Sequence, residues 1–519
     1  MTMERQVVRA LGSISAATLA SRVLGFVRDM VVALVFGAGP VTDAFFVAFR
    51  IPNVLRRLLA EGALSTAVVP VFTEYSATRS HDEFTRMLRA VLAGGLLALT
   101  GTTLVGIVAA PWIVGAIAPG FTAEPGQAAL ATLLTRVMFP FLMLVGLSAL
   151  AMGALHAHGR FFAAALGPAV LNVGMIAGVL LLAGRLEPPI LGLAVGLLAG
   201  GVGQLLVQVP SLRRCRLLVA PSAELGHPAL RRVARLLGPA VFGLAAVQVM
   251  VFVNTALASL LPAGSVSFLT YADRVMELPL GVFGIALASA SLPAMTRQAA
   301  TGDIRGVADT LNFALRLAFY IAVPATLGLI VLRVPIIRVL FERGEFGPAA
   351  TVATAQALAW YAAGLVGFSA ARIAAQVFYA VGAPGTAVTV GFVSVAVNIV
   401  AAVLLMGPLA HGGLALASSI GAYVNAGLLL WVARRRFGHL GGRALAVSFA
   451  RTVVAAAPLG AWCALCLWAW PARPELWLDV AWLGFAIAGG GGLFWATSRA
   501  LAAPESVALR AILPLGRPH

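Results

Sequence analysis

A run of about twenty apolar residues, closed by a short polar break, recurs along almost the whole chain, and each run is long enough to cross the hydrocarbon core of a bilayer as a helix. We count about fourteen such runs, the first over 12–36 and the last over 477–498. With 61% hydrophobic residues, 11% charged residues and a mean hydropathy of +0.97, the chain lies outside the range of soluble domains. The expected fold is all-α, a polytopic membrane protein.

One stretch departs from this background. Ser21 to Phe72 is apolar overall yet holds Arg22, Arg28, Asp29, Asp43, Arg50, Arg56, Arg57 and Glu61. Each charge at mid-bilayer costs about 2.5 to 3.5 kcal/mol even on lenient insertion scales, so this many persist only against water, a partner or a charged ligand. The stretch reads as two helices lining a polar cavity. Arg22 and Asp29, seven residues apart, share one helical stripe, and Arg28 points away from it. Pro52 predicts a bend or break in the second helix, and Arg57 with Glu61 forms an i, i+4 pair. Edge-of-membrane snorkelling is the competing reading for Arg50, Arg56 and Arg57.

The formal net charge is +17, from 36 basic and 19 acidic residues, and every basic residue is arginine. If the N-terminus is cytoplasmic, 21 arginines fall in cytoplasmic segments and 5 in outside loops. That bias places both termini in the cytoplasm. It also accounts for the high isoelectric point better than nucleic-acid binding, because no soluble basic domain is present. Three cysteines exclude a disulfide framework, and Cys463 and Cys466 lie in an apolar run where packing is the expected role.

The chain repeats itself. ALSTAVVPVF, ending at Phe72, resembles ALASASLPAM, ending at Met295, with Pro70 and Pro293 separated by 223 residues. GLSALAMGALHAHGRF from Gly146 resembles GFSAARIAAQVFYAVG from Gly367, and Asn172 and Asn398 occupy the run that follows in each half. An even number of helices per repeat gives two lobes of the same orientation. The expected organisation is an N-lobe over 1–210, a basic cytoplasmic linker over 211–235, a C-lobe over 236–433, and two extra helices with a cytoplasmic tail over 434–519. In the second lobe, YADRVMELP sets Asp273 and Glu277 four residues apart with Arg274 between them. Like charges on one stripe repel unless that arginine or a bound cation offsets them.

SRVLGFVRD at 21–29, FGAGPVTDAFFVAFRIPNVLRRLLAEGALSTAVVPVF at 36–72, YADRVMELPLGVFGIAL at 271–287, FERGEF at 341–346 and QVFYAVGAPGTAV at 376–388 closely resemble the MurJ (MviN) lipid II flippases. These belong to the multidrug/oligosaccharidyl-lipid/polysaccharide exporter superfamily. The resemblance implies a bacterial inner-membrane protein of fourteen helices whose two six-helix lobes alternate access. The implied cargo is the undecaprenyl-pyrophosphate-linked peptidoglycan precursor, lipid II, moved from the cytoplasmic to the periplasmic leaflet. The family's cavity arginines fall on Arg22, Arg28, Arg56 and Arg274, with Asp29 as the acidic partner of Arg28. Asp43 and Glu61 match positions linked to gating, and Asp273, Glu277 and Arg57 complete the charged set.

Some relatives hold sodium with acidic residues where this chain has Asn254 and Asn398, so no metal and no cofactor is expected. Membrane lipids, complexes of cell-wall synthesis and a monomeric state complete the expectation. Two rivals stand beside it. One is an exporter of another polyprenyl-linked glycan. The other is a membrane enzyme acting on polyprenyl phosphates, which needs metal-holding aspartates or a general base in an ordered loop, and no such cluster is present in the sequence.

Overall fold

The computed structural model describes residues 3–56, 64–222, 224–281, 285–471 and 475–507 of the 519. Among them the secondary structure is helical throughout. In chain order the helices are α1 (Met3–Phe36), α2 (Pro40–Arg56), α3 (Leu64–Thr78), α4 (His81–Ile117), α5 (Pro125–Met138), α6 (Phe141–Ala157) and α7 (Phe162–Leu182). There follow α8 (Leu191–Leu206), α9 (Val209–Arg214), α10 (Pro228–Ser259), α11 (Ser265–Pro279), α12 (Ile285–Ala300) and α13 (Ile304–Val331). The chain continues through α14 (Arg333–Phe341), α15 (Pro348–Ala363), α16 (Leu365–Ala380), α17 (Pro384–Phe437), α18 (Gly442–Trp468) and α19 (Leu476–Ala500).

Each apolar run of the sequence falls on helix wherever it is described. By length and apolarity alone, eight helical stretches among the described residues are able to span a bilayer, with α5 and α6 counted as one and α8 and α9 as another, or nine if the bent pair α15 and α16 is one span. Part of the difference from about fourteen lies in how the helices divide the runs. Helix α17, with 54 residues, covers two runs and carries a non-helical break at Ala410 just after Pro408. At 1.5 Å per residue its two halves together amount to roughly 80 Å of helix, enough for two crossings, and Asn398 of the first half meets Ser418 of the second, so the chain folds back at the break. Helices α1, α2 and α11 carry the charges noted above, and α10 begins with Arg231, Arg232 and Arg235. Helices α2 and α11, which hold Asp43, Arg56 and Arg274, are 17 and 15 residues long and are too short to be counted. Helix α2 runs unbroken through Pro52 to Arg56.

The repeat is visible in where helices start. Helices α4 and α13 begin at His81 and Ile304, and α5 and α15 at Pro125 and Pro348, each pair 223 residues apart. Both α4 and α13 are capped by a side chain accepting a backbone N–H, Ser80 in one and Asp303 in the other.

By packing, the chain forms two compact units, residues 1–267 with 343–346, and residues 268–342 with 347–519. Helix α10 counts with the first because Ala229 and Val233 sit in one buried cluster with Phe72, Phe84, Met87 and Leu150. The contact boundary and the repeat boundary expected near 236 are thus different partitions of the chain. In unit 1, α7 and α8 approach through glycine. A Cβ on Gly178 would stand 2.4 Å from the Gly192 carbonyl oxygen and 2.5 Å from Gly196 Cα, so only small residues let the backbones meet. In unit 2, Val307, Leu311, Leu315 and Phe319 of α13 pack with Ile373 and Val377 of α16.

The basic segment 211–235 is tied down rather than loose. Arg86 of α4 donates to both carboxylate oxygens of Glu224, at 2.9 and 2.6 Å, and Ser222 N–H donates to the Arg89 carbonyl oxygen. Arg232 likewise donates to Glu74 at 2.9 Å. These bonds hold the Glu224 and Glu74 carboxyls below the usual glutamate range. Whatever the pairs contribute is present above the unfolded glutamate pKa and is lost as pH falls through the lowered folded value.

Substituting Gly178→Val should lower stability by about 1 to 3 kcal/mol. Thermal unfolding of the detergent-solubilised protein should show an earlier transition for it than for Gly184→Ala, where a Cβ meets nothing within 4 Å.

Candidate functional site

Arginine cannot shed its charge, so a guanidinium on an apolar helix is stable only if its donors are matched. Arg28 of α1 solves this within unit 1. Its Nε and one terminal nitrogen donate to Oδ1 of Asp29 at 3.0 and 2.6 Å, and its other terminal nitrogen donates to Asn172 Oδ1 of α7 at 3.0 Å. The Arg28 side chain is 12% exposed and that of Asp29 is 4% exposed. The Asn172 amide nitrogen then donates back to the Ser21 carbonyl oxygen at 3.1 Å, and Gly25 leaves room for the amide between the helices. The result is a nearly closed polar knot joining α1 to α7. Asn172 entered the sequence reading only as a landmark of the repeat. Its signal as a site residue was its isolation, a lone amide in an otherwise apolar run.

Arg22 lies on the same helix and is exposed, with no hydrogen-bonded or ionic partner among the described residues. Arg56 ends α2 and donates to Asn53 Oδ1 through Nε at 3.3 Å and a terminal nitrogen at 3.2 Å. Arg57 and Glu61 lie outside the described residues. In unit 2, Arg274 pairs with Glu277 at 3.1 Å, one helical turn along α11, with the two side chains 31% and 48% exposed. Asp273 is partly buried beside it. The arginine thus offsets the acidic stripe, as its position between the two carboxylates suggested.

Asp43 occupies a different setting. It is buried at 2% exposure in the first turn of α2. Its Oδ2 accepts from Gly264 N–H at 2.7 Å, and its Oδ1 accepts from Ser267 N–H at 2.8 Å and Ser267 Oγ at 2.5 Å. Gly264 precedes α11 and Ser267 is its third residue, so Asp43 satisfies two of the orphan donors that every helix start leaves. All these partners belong to unit 1. So does the tip of FERGEF, where Glu345 N–H donates to the Leu34 carbonyl oxygen at 3.0 Å. Gly344 takes a left-handed φ of +57°, and a Cβ there would stand 2.2 Å from that same oxygen. Both acidic capping of α11 and the fit of this loop were beyond reach of the sequence, because the partners are 221 or more residues apart.

Asn254 and Asn398, which stand where some relatives are expected to carry acidic groups, each have a buried Oδ1 with no hydrogen-bond partner.

A family model described as lipid II flippase MurJ matches residues 32–472. A lipid II flippase MurJ of Burkholderia cenocepacia is 37% identical over 434 residues, covering 83% of this chain and 84% of the relative. A probable lipid II flippase MurJ of Vibrio cholerae is 38% identical over 437 residues, covering 83% of each. Among solved structures, a lipid II flippase MurJ in an inward closed conformation superposes with a TM-score of 0.77 at 23% identity, over 94% of this chain and 99% of that one. An inward-facing multidrug resistance MATE family transporter of the MOP superfamily gives 0.65 at 17% identity, over 81% and 96%. At those identities the two structures speak to the fold.

Asp43→Ala strands Gly264 N–H and Ser267 N–H in a buried place, at about 1 to 3 kcal/mol for each group. Asp43→Asn keeps one acceptor oxygen and should cost less. Thermal unfolding should rank the unaltered protein above Asp43→Asn, and Asp43→Ala lowest.

Proposed function

This chain belongs to the MurJ family of lipid II flippases, and we propose that it carries the undecaprenyl-pyrophosphate-linked peptidoglycan precursor from the inner to the outer leaflet of the bacterial cytoplasmic membrane by alternating access. Both termini face the cytoplasm in this reading. Arg22, Arg28, Arg56 and Arg274 hold the diphosphate of the headgroup. A guanidinium presents paired donors that match phosphate oxygens, and it stays charged at any cellular pH. In a low-dielectric setting such charges also draw an anionic headgroup from the membrane interface.

The observation that carries this reading is the Arg28 knot. Asp29 and Asn172 occupy the donors that a diphosphate would take. The protein itself thus compensates the Arg28 charge. When the diphosphate arrives it replaces one set of acceptors by another, so the exchange shifts a balance between two states rather than exposing a bare cation. The Arg274–Glu277 pair is the second instance of the same arrangement. Arg22, which has no such partner among the described residues, is the arginine ready for first contact. Asp29, Asp43, Glu61, Asp273, Glu277 and Arg57 serve pairing and gating.

The polyprenyl chain stays in lipid in this scheme. Helices α18 and α19 lie outside the repeat and expose Leu465, Trp468, Trp477 and Ile487. They supply the apolar surface along which the tail runs.

In cells depleted of their own flippase, supplying this protein should restore lipid II on the outer leaflet, read by labelling of surface-accessible precursor. Arg28→Ala should reduce exposure by at least about 100-fold, as expected when two or more charge-assisted bonds are lost. Arg28→Lys should recover part of it. Asn172→Ala should keep the protein in the membrane and reduce exposure less than Arg28→Ala. If the unaltered protein, present at normal membrane levels, restores no exposure, the lipid II assignment is wrong for this chain.

A further inference from the structure

Unit 2 contains a cleft of about 580 Å³ that none of the residues discussed above lines. Its walls come from Arg316 of α13, His439 and Gly441 in the turn before α18, Arg443, Val447, Ser448 and Arg451 of α18, and Pro504 beyond α19. Residues 443, 447 and 451 follow at i, i+4 and i+8, so one face of α18 supplies two guanidiniums with a valine between them, over roughly 12 Å of axis.

The cleft is built rather than accidental. Asn312 of α13 donates to the carbonyl oxygens of Leu440 and Gly441 at 2.8 and 3.1 Å, fixing the turn that opens α18. Gly441 takes a left-handed φ of +64°, and a Cβ there would press on Asn312 at 2.9 Å. Behind the cleft, Glu505 is 3% exposed. Its Oε1 accepts from Arg316 Nε at 2.6 Å and from Ser448 Oγ at 2.8 Å. The Arg316 charge is therefore already matched.

Arg443 and Arg451 differ. Both are exposed to the cleft side of α18, and neither has a hydrogen-bonded or ionic partner among the described residues. Arg451 lies inside the apolar run 446–470, two turns beyond Arg443, where an unmatched cation is costly. Arg434, Arg435 and Arg436 close α17 just before this turn, with Arg435 stacked on Trp431 at 3.9 Å, so the field at the mouth is positive. On the same face of α18, Val447 between the arginines and Val454 just beyond them are exposed.

We propose that this cleft binds a phosphoryl group at the cytoplasmic membrane surface, with Arg443 and Arg451 as its donors. The inference shares with the functional reading only the assignment of this end of unit 2 to the cytoplasm. An anionic phospholipid matches both halves of the site, its phosphate at the guanidiniums and its acyl chains along the valine face. Free phosphate monoester has the same head chemistry and no use for the valines.

The test uses the purified full-length protein in neutral detergent, read by native mass spectrometry. Phosphatidylglycerol, phosphatidylcholine and soluble glycerol phosphate are titrated separately. Phosphatidylglycerol should remain bound, and the double variant Arg443→Gln/Arg451→Gln should weaken it at least about tenfold. Arg305→Gln, a basic residue of α13 outside the cleft, should leave it unchanged. The charge-keeping pair Arg443→Lys/Arg451→Lys should fall between, and it covers the case in which the glutamine pair fails to fold. Binding of phosphatidylglycerol alone identifies a lipid headgroup, and equal binding of glycerol phosphate identifies a free phosphate. Unchanged binding in the glutamine pair, or phosphatidylcholine held as tightly as phosphatidylglycerol, overturns the site. Lipid II exposure measured with the same variants separates this outcome from failure of the flippase reading, since Arg28 is untouched.

Discussion

A buried guanidinium on an apolar helix must have its donors filled, and that requirement shapes the contact of α1 with α7 in unit 1. Arg28 is adjacent to its own carboxylate, and Asn172 reaches it from α7. The i, i+1 pair alone would leave a terminal nitrogen unmatched, because neighbouring residues on a helix diverge by about 100°. The amide from a second helix completes the set. Helix α1 is thereby positioned against α7 by the same bonds that keep its charge tolerable. Glycine-lined contact between α7 and α8 supplies a firm backing for that second helix. The packing of α1 on α7 thus rests on the same polar knot that compensates the Arg28 charge.

Much of this was legible in the sequence where the physics is local. Apolar runs, arginine bias and the 223-residue repeat depend on composition and spacing, and helix starts at His81 and Ile304 follow that spacing. Pairing of Arg274 with Glu277 was readable for the same reason, being one turn along a single helix. Long-range closure was not readable. The bonds from Asp43 to Gly264 and Ser267 join residues 221 and 224 apart, and no periodicity announces them. The linker over 211–235 had the composition of an exposed loop, yet Arg86 and Glu224 fasten it to α4, because composition reports solubility and not the presence of a matching charge elsewhere.

The two repeats also differ where the charge sits. Helix α10 occupies the place in the second repeat that α1 holds in the first, and no charge stands there in either register: a shift of 223 carries Arg28 and Asp29 onto Val251 and Phe252, and the shift of 226 that relates Asn172 to Asn398 carries them onto Asn254 and Thr255. The corresponding amides remain, Asn172 in α7 and Asn398 in α17. In the first repeat the Asn172 oxygen accepts from Arg28. In the second, the Asn398 oxygen is buried without a partner, although its nitrogen meets Ser418 Oγ at 3.4 Å. The packing differs in step, since α1 lies on α7 while α10 shares the core of α3 and α4. The first repeat thus combines its amide with an arginine and a carboxylate, and the second holds the amide without them. The cationic centre of the opening helix is therefore a property of one repeat, set on a scaffold that both repeats share.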